Sequence, residues 1–168
     1  MTKPLIRAED GADARAIREV TEAAFAVAQH SAGTEGAIVD ALRAADALTV
    51  SLVAVIDGEV VGHVAFSPVT IDGAQIGWLG LGPLSVRPDL HRQGIGTALV
   101  QEGLERVRAL GGKGCVLVGD PGYYRRFGFV PDPAMRVAGV PAEYVMRLPL
   151  DGALAAGEVA FHEGFKAS

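Results

Sequence analysis

The stretch Leu81–Val100 reads LGPLSVRPDLHRQGIGTALV. An apolar run closes at Pro88, and a short polar loop leads through Gly94-Ile95-Gly96 into helical spacing. This is a strand, a glycine-bearing turn and the start of a helix. The first turn of a helix carries backbone N–H groups without internal partners, at the positive end of the helix dipole. Glycines there let a bulky anion approach the backbone. The stretch therefore predicts a phosphate-binding site.

Reading outward, Ile6-Arg7 opens a short strand. Asp10 is an N-cap candidate for a helix with Ala14, Ile17, Val20, Thr21, Ala24 and Phe25 at helical spacing. Thr34 is the expected cap of a second helix carrying Ile38, Val39 and Leu42, with Glu35 in its first turn. Ser51–Ile56 and Glu59–Phe66 flank Asp57-Gly58, a hairpin signal, and Asp72-Gly73 marks a second turn. Gln75–Val86 reads as a long strand, but Gly77, Gly80, Gly82 and Pro83 within it call for a bulge or a splayed edge. The helix from Gly94 ends at Gly111-Gly112. Cys115–Val118 is a short buried strand, and Pro121-Gly122 opens a brief helix halted by Gly128. Glu143–Leu150 is a strand, and Val159-Ala160-Phe161 adds a small one. The order gives a mixed-sheet α/β fold. At 168 residues the expectation is one domain, with its core in 5–150 and a C-terminal extension over 151–168.

Composition narrows the partners. A net charge of −5 argues against nucleic acid held by bulk electrostatics. No apolar run is long enough to cross a bilayer, so no membrane partner is expected. The first residues, MTKPLIRAEDGADARAI, lack an apolar signal core, which points to a cytoplasmic protein. A single cysteine, Cys115, excludes an internal disulfide and a multi-cysteine zinc site. The histidines His30, His63, His91 and His162 show no metal-ligand spacing, so no metal is expected. Cys115 lacks an activating partner in sequence and reads as a small apolar residue of a buried strand rather than an acyl-carrying nucleophile.

Two nucleotide readings fail at the glycine pair. A dinucleotide fingerprint needs a third glycine where Leu99 stands, and no ribose-binding acid follows at the right distance. There is no Gly-Lys-Ser/Thr P-loop either. A strand–turn–helix with no ligand is the plain alternative.

The neighbouring residues point elsewhere. Leu84-Ser85-Val86-Arg87-Pro88, then His91-Arg92-Gln93-Gly94-Ile95-Gly96, then a helix, resembles the acetyl-CoA signature of the GNAT superfamily of N-acetyltransferases, Gln/Arg-x-x-Gly-x-Gly/Ala. His91 departs from the Gln or Arg of the first position. Tyr124-Arg125-Arg126-Phe127-Gly128-Phe129 resembles a second family landmark, an aromatic followed by Gly-Phe. The likeness runs from about Ile6 to Leu150. Three further stretches are similar to the YhbS-like branch of predicted acetyltransferases: Glu59–Val64, Gly119–Tyr124 and Gly157–His162.

This resemblance implies a GNAT acyl-CoA N-acyltransferase fold, whose central, mostly antiparallel sheet is flanked by helices and splays at one parallel strand pair. It implies acetyl-CoA as co-substrate and direct attack by a primary amine of a small molecule, peptide or protein. A non-catalytic acyl-CoA-sensing module on the same fold is the alternative. Pantetheine then pairs with Gly80–Val86, and because Pro83 has no N–H, Leu84 and Val86 are the expected partners. The Leu84 N–H polarises the thioester carbonyl. Ser85, His91, Arg92, Gln93, Gly94, Ile95, Gly96 and Thr97 complete the donor site, through backbone amides, the Thr97 hydroxyl and the Arg92 charge. Tyr124 matches the family's general acid and also borders the donor, and Tyr123 is its rival in the doublet. For the base, the strand QIGWLGLGPLSV offers no acid, leaving Asp120 and His63. Each has a structural role to weigh against this: Asp120 as a helix cap, His63 as a hydrogen-bonded core residue. Arg125 and Arg126 face either CoA phosphate or solvent. His30 and Glu35 sit where the family shapes acceptor pockets. Relatives pair through sheet edges or late strands, so a homodimer is an expectation too.

Overall fold

A computed structural model describes residues 3–28, 31, 33–152 and 154–168. The elements in chain order are β1 (Leu5–Ala8), α1 (Ala14–Ala26), α2 (Glu35–Ala44), β2 (Val50–Ile56), β3 (Glu59–Pro68), β4 (Thr70–Ile71), β5 (Trp78–Val86), α3 (Ile95–Ala109), β6 (Gly114–Val118), α4 (Pro121–Tyr124), β7 (Val130–Pro131), β8 (Met135–Arg136), β9 (Val145–Pro149) and β10 (Gly157–Ala160).

Seven strands form one sheet in the order β1-β2-β3-β5-β6-β9-β7. Its pairs are antiparallel except β5 with β6, the expected parallel pair. A second sheet, β4-β10-β8, was not expected from the sequence, and it contains another parallel pair, β10 with β8. Its strands are two to four residues long, too short for a period-2 pattern to register.

Several boundaries differ from the sequence reading. Gln75–Gly77 lie outside β5, with Gly77 at φ 89° turning the chain into the strand. A 3-10 turn over Ala142–Tyr144 delays β9 to Val145. Asp10 caps as expected: its carboxylate accepts from the Ala12 N–H in a capping box with Asp13, ahead of a 3-10 turn that runs into α1. Thr34 does not cap α2 with its side chain. Ser31 holds that corner instead, donating to Glu35 and accepting from the Gly33 N–H.

The two faces of the large sheet are covered differently. Strand alternation turns Val50, Leu52, Ala54, Val64 and Phe66 toward α3, where Ile95, Leu99, Val100, Leu104 and Val107 complete an apolar core. Gly103 of α3 has no Cβ because the Phe66 ring occupies that space. The other face carries α1 and α2 on a smaller cluster of Ile17, Val39 and Val53.

Candidate active site

The bulge and splay expected around Gly80–Pro83 are present. β5 and β6 pair only through Trp78↔Gly114, Leu79↔Cys115 and Gly80↔Val116. Beyond Gly80 the strands part, β5 following β3 and β6 following β9. The β3–β5 register slips between Val64 and Phe66, across Gly82 and Pro83.

Which backbone groups face the opening follows from alternation. The Arg87 N–H donates to Val61 O at 2.8 Å, so odd-numbered residues at this end of β5 bond to β3. Leu84 and Val86 therefore turn their N–H and C=O groups toward the open edge. The Val86 carbonyl accepts there from His91 Nε2 at 2.7 Å, which fixes the proton on that nitrogen. His91 thus braces the loop from the signature position where the family has Gln or Arg.

The loop then builds an anion cradle. Arg92 (φ 65°) and Gly94 (φ 84°) are both left-handed, which turns successive amides to one side. Gly94 is the N-cap of α3 without a side-chain cap, so the N–H groups of Ile95, Gly96 and Thr97 stay free at the positive end of a 15-residue helix. Leu84, Ser85, Val86, His91, Arg92, Gly94, Ile95, Gly96 and Thr97 all border one cavity of about 550 Å³, closed by Tyr123 and Arg126 and, across it, by Ala24, Phe25 and Ala28. Gln93 turns to a separate hollow with Lys3 and Ile6 on the far side of the loop. An elongated donor with a phosphorylated end fits this constellation: strand-edge amides at one end and a free helix terminus at the other.

The tyrosine doublet divides its two rings. Tyr123 reaches α3, its hydroxyl 3.3 Å from Thr97 Oγ1. Tyr124 packs inward on Phe127 and Phe129, and its ring fills the space beside Gly119, at the end of the β6 wall. Burial, with Tyr123 and Asp120 nearby, pushes the Tyr124 phenol up, so it keeps its proton at neutral pH. Asp120 caps α4, its carboxylate accepting from the Gly122 N–H at 2.9 Å.

His63 lies inside, fully buried on the face toward α1. Its Nε2 is 2.8 Å from Ser51 Oγ, while Ser51 bonds to Glu9, which Arg43 clamps through two hydrogen bonds of 3.0 Å. A carboxylate only accepts, so the Ser51 proton goes to Glu9 and Nε2 carries the imidazole proton. Nδ1 is left a bare acceptor without a partner among the described residues. Burial, only partly offset by Glu9, lowers the His63 pKa to about 4 and keeps the ring neutral. Cys115 is buried in β6, its thiol pushed up to about 12, as a packing residue requires. His30 falls outside the described residues. Among those described, no group of His, Cys, Asp or Glu could hold a metal ion, and no helix is long and apolar enough to cross a membrane.

Two features escaped sequence reasoning. The Glu9–Ser51–His63 chain joins residues up to 54 positions apart, with no local pattern to betray it. Phe161 lies over Gly80, where a Cβ would sit 2.8 Å from its ring, so the C-terminal segment covers the start of the splay. A glycine inside a strand, which often marks a close approach, was the available signal.

Residues 48–131 match the acetyltransferase (GNAT) domain family. The chain is 36% identical over 168 residues to the uncharacterized N-acetyltransferase YhbS of Escherichia coli K12, covering 96% of this chain and 98% of that protein. Among solved structures, a GNAT family acetyltransferase from Brucella melitensis in complex with acetyl-CoA is 50% identical, with a TM-score of 0.88 and coverage of 98% of this chain and 99% of that one. Escherichia coli YhbS in complex with CoA is 34% identical, also with a TM-score of 0.88, covering 99% and 93%. With a splayed β5/β6 pair, an uncapped glycine loop at α3 and these relatives along nearly its whole length, the chain belongs to the GNAT family of N-acetyltransferases.

Proposed function

We propose that the protein transfers the acetyl group of acetyl-CoA to a primary amine of a small molecule or peptide by direct attack. The observation that carries this is the pairing of a β5 edge open at Leu84 and at the Val86 N–H with the uncapped first turn of α3. Pantetheine adds to the strand edge, and the pyrophosphate sits on the amides of Arg92–Thr97.

In this reading the Leu84 N–H donates to the thioester carbonyl and then to the oxyanion formed as the amine attacks. A donor so aimed is worth about 3–4 kcal/mol of barrier. Tyr124, protonated in its covered position at the β6 wall, gives its proton to the departing CoA thiolate. The attacking nitrogen loses a proton to Asp120 or His63. Asp120 is exposed just past the end of β6 but engaged as a cap, and His63 is fully buried. The complexes of the Brucella protein with acetyl-CoA and of YhbS with CoA support acetyl-CoA as co-substrate. We place the protein in the cytoplasm, where acetyl-CoA is at hand and a lone Cys115 stays reduced. We also propose a homodimer paired through a sheet edge. β1 is a free edge with Leu5 61% exposed, and a monomeric mass by light scattering removes this part.

Thiol release from acetyl-CoA, followed across a panel of amines, tests the reaction. With an active acceptor in hand, Tyr124→Phe is expected to lower kcat by about 100-fold or more. Turnover equal to wild type removes Tyr124 as the acid. Asp120→Asn and His63→Gln, assayed across pH, separate the two base candidates, because only loss of the base abolishes the rise of kcat/KM with pH.

A further inference from the structure

The family signature accepts glycine or alanine where Gly96 stands, and the free amides of α3 do not themselves require glycine there. The structure supplies another reason. A Cβ at Gly96 would lie 3.0 Å from the Tyr123 hydroxyl. That hydroxyl reaches across the mouth of the splay from α4 to the first turn of α3, ending 3.3 Å from Thr97 Oγ1. It is the point where the β6 side of the cleft touches the β5 side.

Tyr123 is held there from several directions. Its ring stands edge-on to Tyr124 at 5.0 Å and to Phe127 at 5.6 Å. The Arg126 guanidinium lies 4.2 Å over its centroid, while Arg126 Nε donates to the Tyr123 carbonyl at 2.8 Å. The Arg126 Nη groups have no protein partner among the described residues, and both residues border the donor cavity opposite Leu84 and Val86.

We propose that Tyr123 and Arg126 form the second jaw of the donor site. The Tyr123 hydroxyl bonds the phosphopantetheine portion of the donor, Arg126 pairs with its phosphate charge, and Gly96 is glycine to admit that hydroxyl. The proposal rests on acetyl-CoA being the donor. It gives the two tyrosines different tasks: Tyr123 holds the donor, Tyr124 serves the leaving thiolate.

Calorimetric titration with acetyl-CoA of wild type, Tyr123→Phe, Gly96→Ala, the double variant and Arg126→Gln tests it. Loss of one hydrogen bond to a charged or strongly polar group predicts a Kd roughly 10-fold higher for Tyr123→Phe, with a comparable loss for Arg126→Gln. Gly96→Ala weakens binding by displacing the hydroxyl. In the Tyr123→Phe background the same alanine meets no hydroxyl, so the double variant binds no worse than the weaker single variant. In the acetylation assay the Tyr123→Phe loss appears in KM for acetyl-CoA, whereas the Tyr124→Phe loss appears in kcat. A Tyr123→Phe Kd equal to wild type, or penalties of Gly96→Ala and Tyr123→Phe that multiply, overturns the proposal while leaving the donor reading intact. Failure of the wild type to bind acetyl-CoA removes the donor reading, and this proposal with it.

Discussion

The two faces of the central sheet are made of different material. Toward α3 the buried residues are apolar, from Val50 and Phe66 to Leu99 and Val107. Toward α1 and α2 lie all the buried polar and charged residues among those described: Asp13, Thr21, Ser51, His63, Ser67 and Ser85. Their bonds are of mixed quality. Arg7 grips Asp13 at 2.7 and 3.1 Å, but Thr21 and Ser85 meet only at 3.3 Å, and His63 Nδ1 and Ser67 Oγ find no partner among the described residues. Apolar burial is non-directional and fixes α3 firmly, which suits a helix whose first turn must present amides at set positions. A seam of polar pairs is held by geometry and loses more when one member shifts. The amino end of α3, which presents the free amides of the donor site, is thus anchored on the apolar face.

Variants on the two faces should separate these behaviours, beginning with the largest effect. Leu99, fully buried on the α3 face, is expected to cost about 3–5 kcal/mol on substitution by Ala, read by urea unfolding. A loss below 1 kcal/mol would mean that α3 is not the tightly packed layer.

The polar face should carry the pH dependence. His63 has a folded pKa of about 4 against 6.5 unfolded, so between these values the unfolded chain binds more protons. Its contribution to stability is then full above pH 6.5 and falls as the pH drops toward 4, by on the order of 3 kcal/mol in all. His63→Gln should flatten the stability profile between pH 7 and 5. This range lies above the titration of Glu9 and Asp13, whose carboxyls are held below their usual values. Burial opposes ionisation of Glu9, but bonds from Arg43 and Ser51 outweigh it, and Arg7 does the same for Asp13. An unchanged slope in the variant would place His63 in a wetter setting.

A smaller effect is expected from Glu9→Gln, which leaves the half-buried Arg43 only its more exposed partner, Asp40, at 3.2 Å. A loss of about 2 kcal/mol at pH 7 is predicted, shrinking in Arg43→Met, where no cation remains to lose its more buried partner. Ser85→Ala should change stability least, by under about 1 kcal/mol, because its contact with Thr21 is long. A large loss there would show the seam to be tighter than its distances imply.

The same contrast explains what could be read from sequence. The donor loop was legible because its chemistry is local: strand, turn, Gly94, Gly96 and helix follow one another, and the contacts are backbone amides that need only correct φ values. The meander and the β5/β6 splay were legible through Asp57-Gly58 and the glycines of β5. The polar face was not, since Glu9, Arg43, Ser51 and His63 meet only after four elements assemble. The corner before α2 misled for a related reason. Thr34 has the right residue type for a cap, but Ser31, three residues earlier, reaches Glu35 first. The small sheet of β4, β8 and β10 left no periodic trace, although it carries the segment that brings Phe161 over Gly80.

The division of labour between the faces can be read directly by following backbone amide resonances of the labelled protein during titration with acetyl-CoA. The largest shifts are predicted at Leu84, Val86, Arg92 and Gly94–Thr97, with Ser51, Val53 and the α2 amides nearly still. Shifts concentrated instead at another cavity, one bordered by Glu9, Arg43, Ser51 and Leu110, would contradict the assignment of the donor to the β5 edge and the amino end of α3.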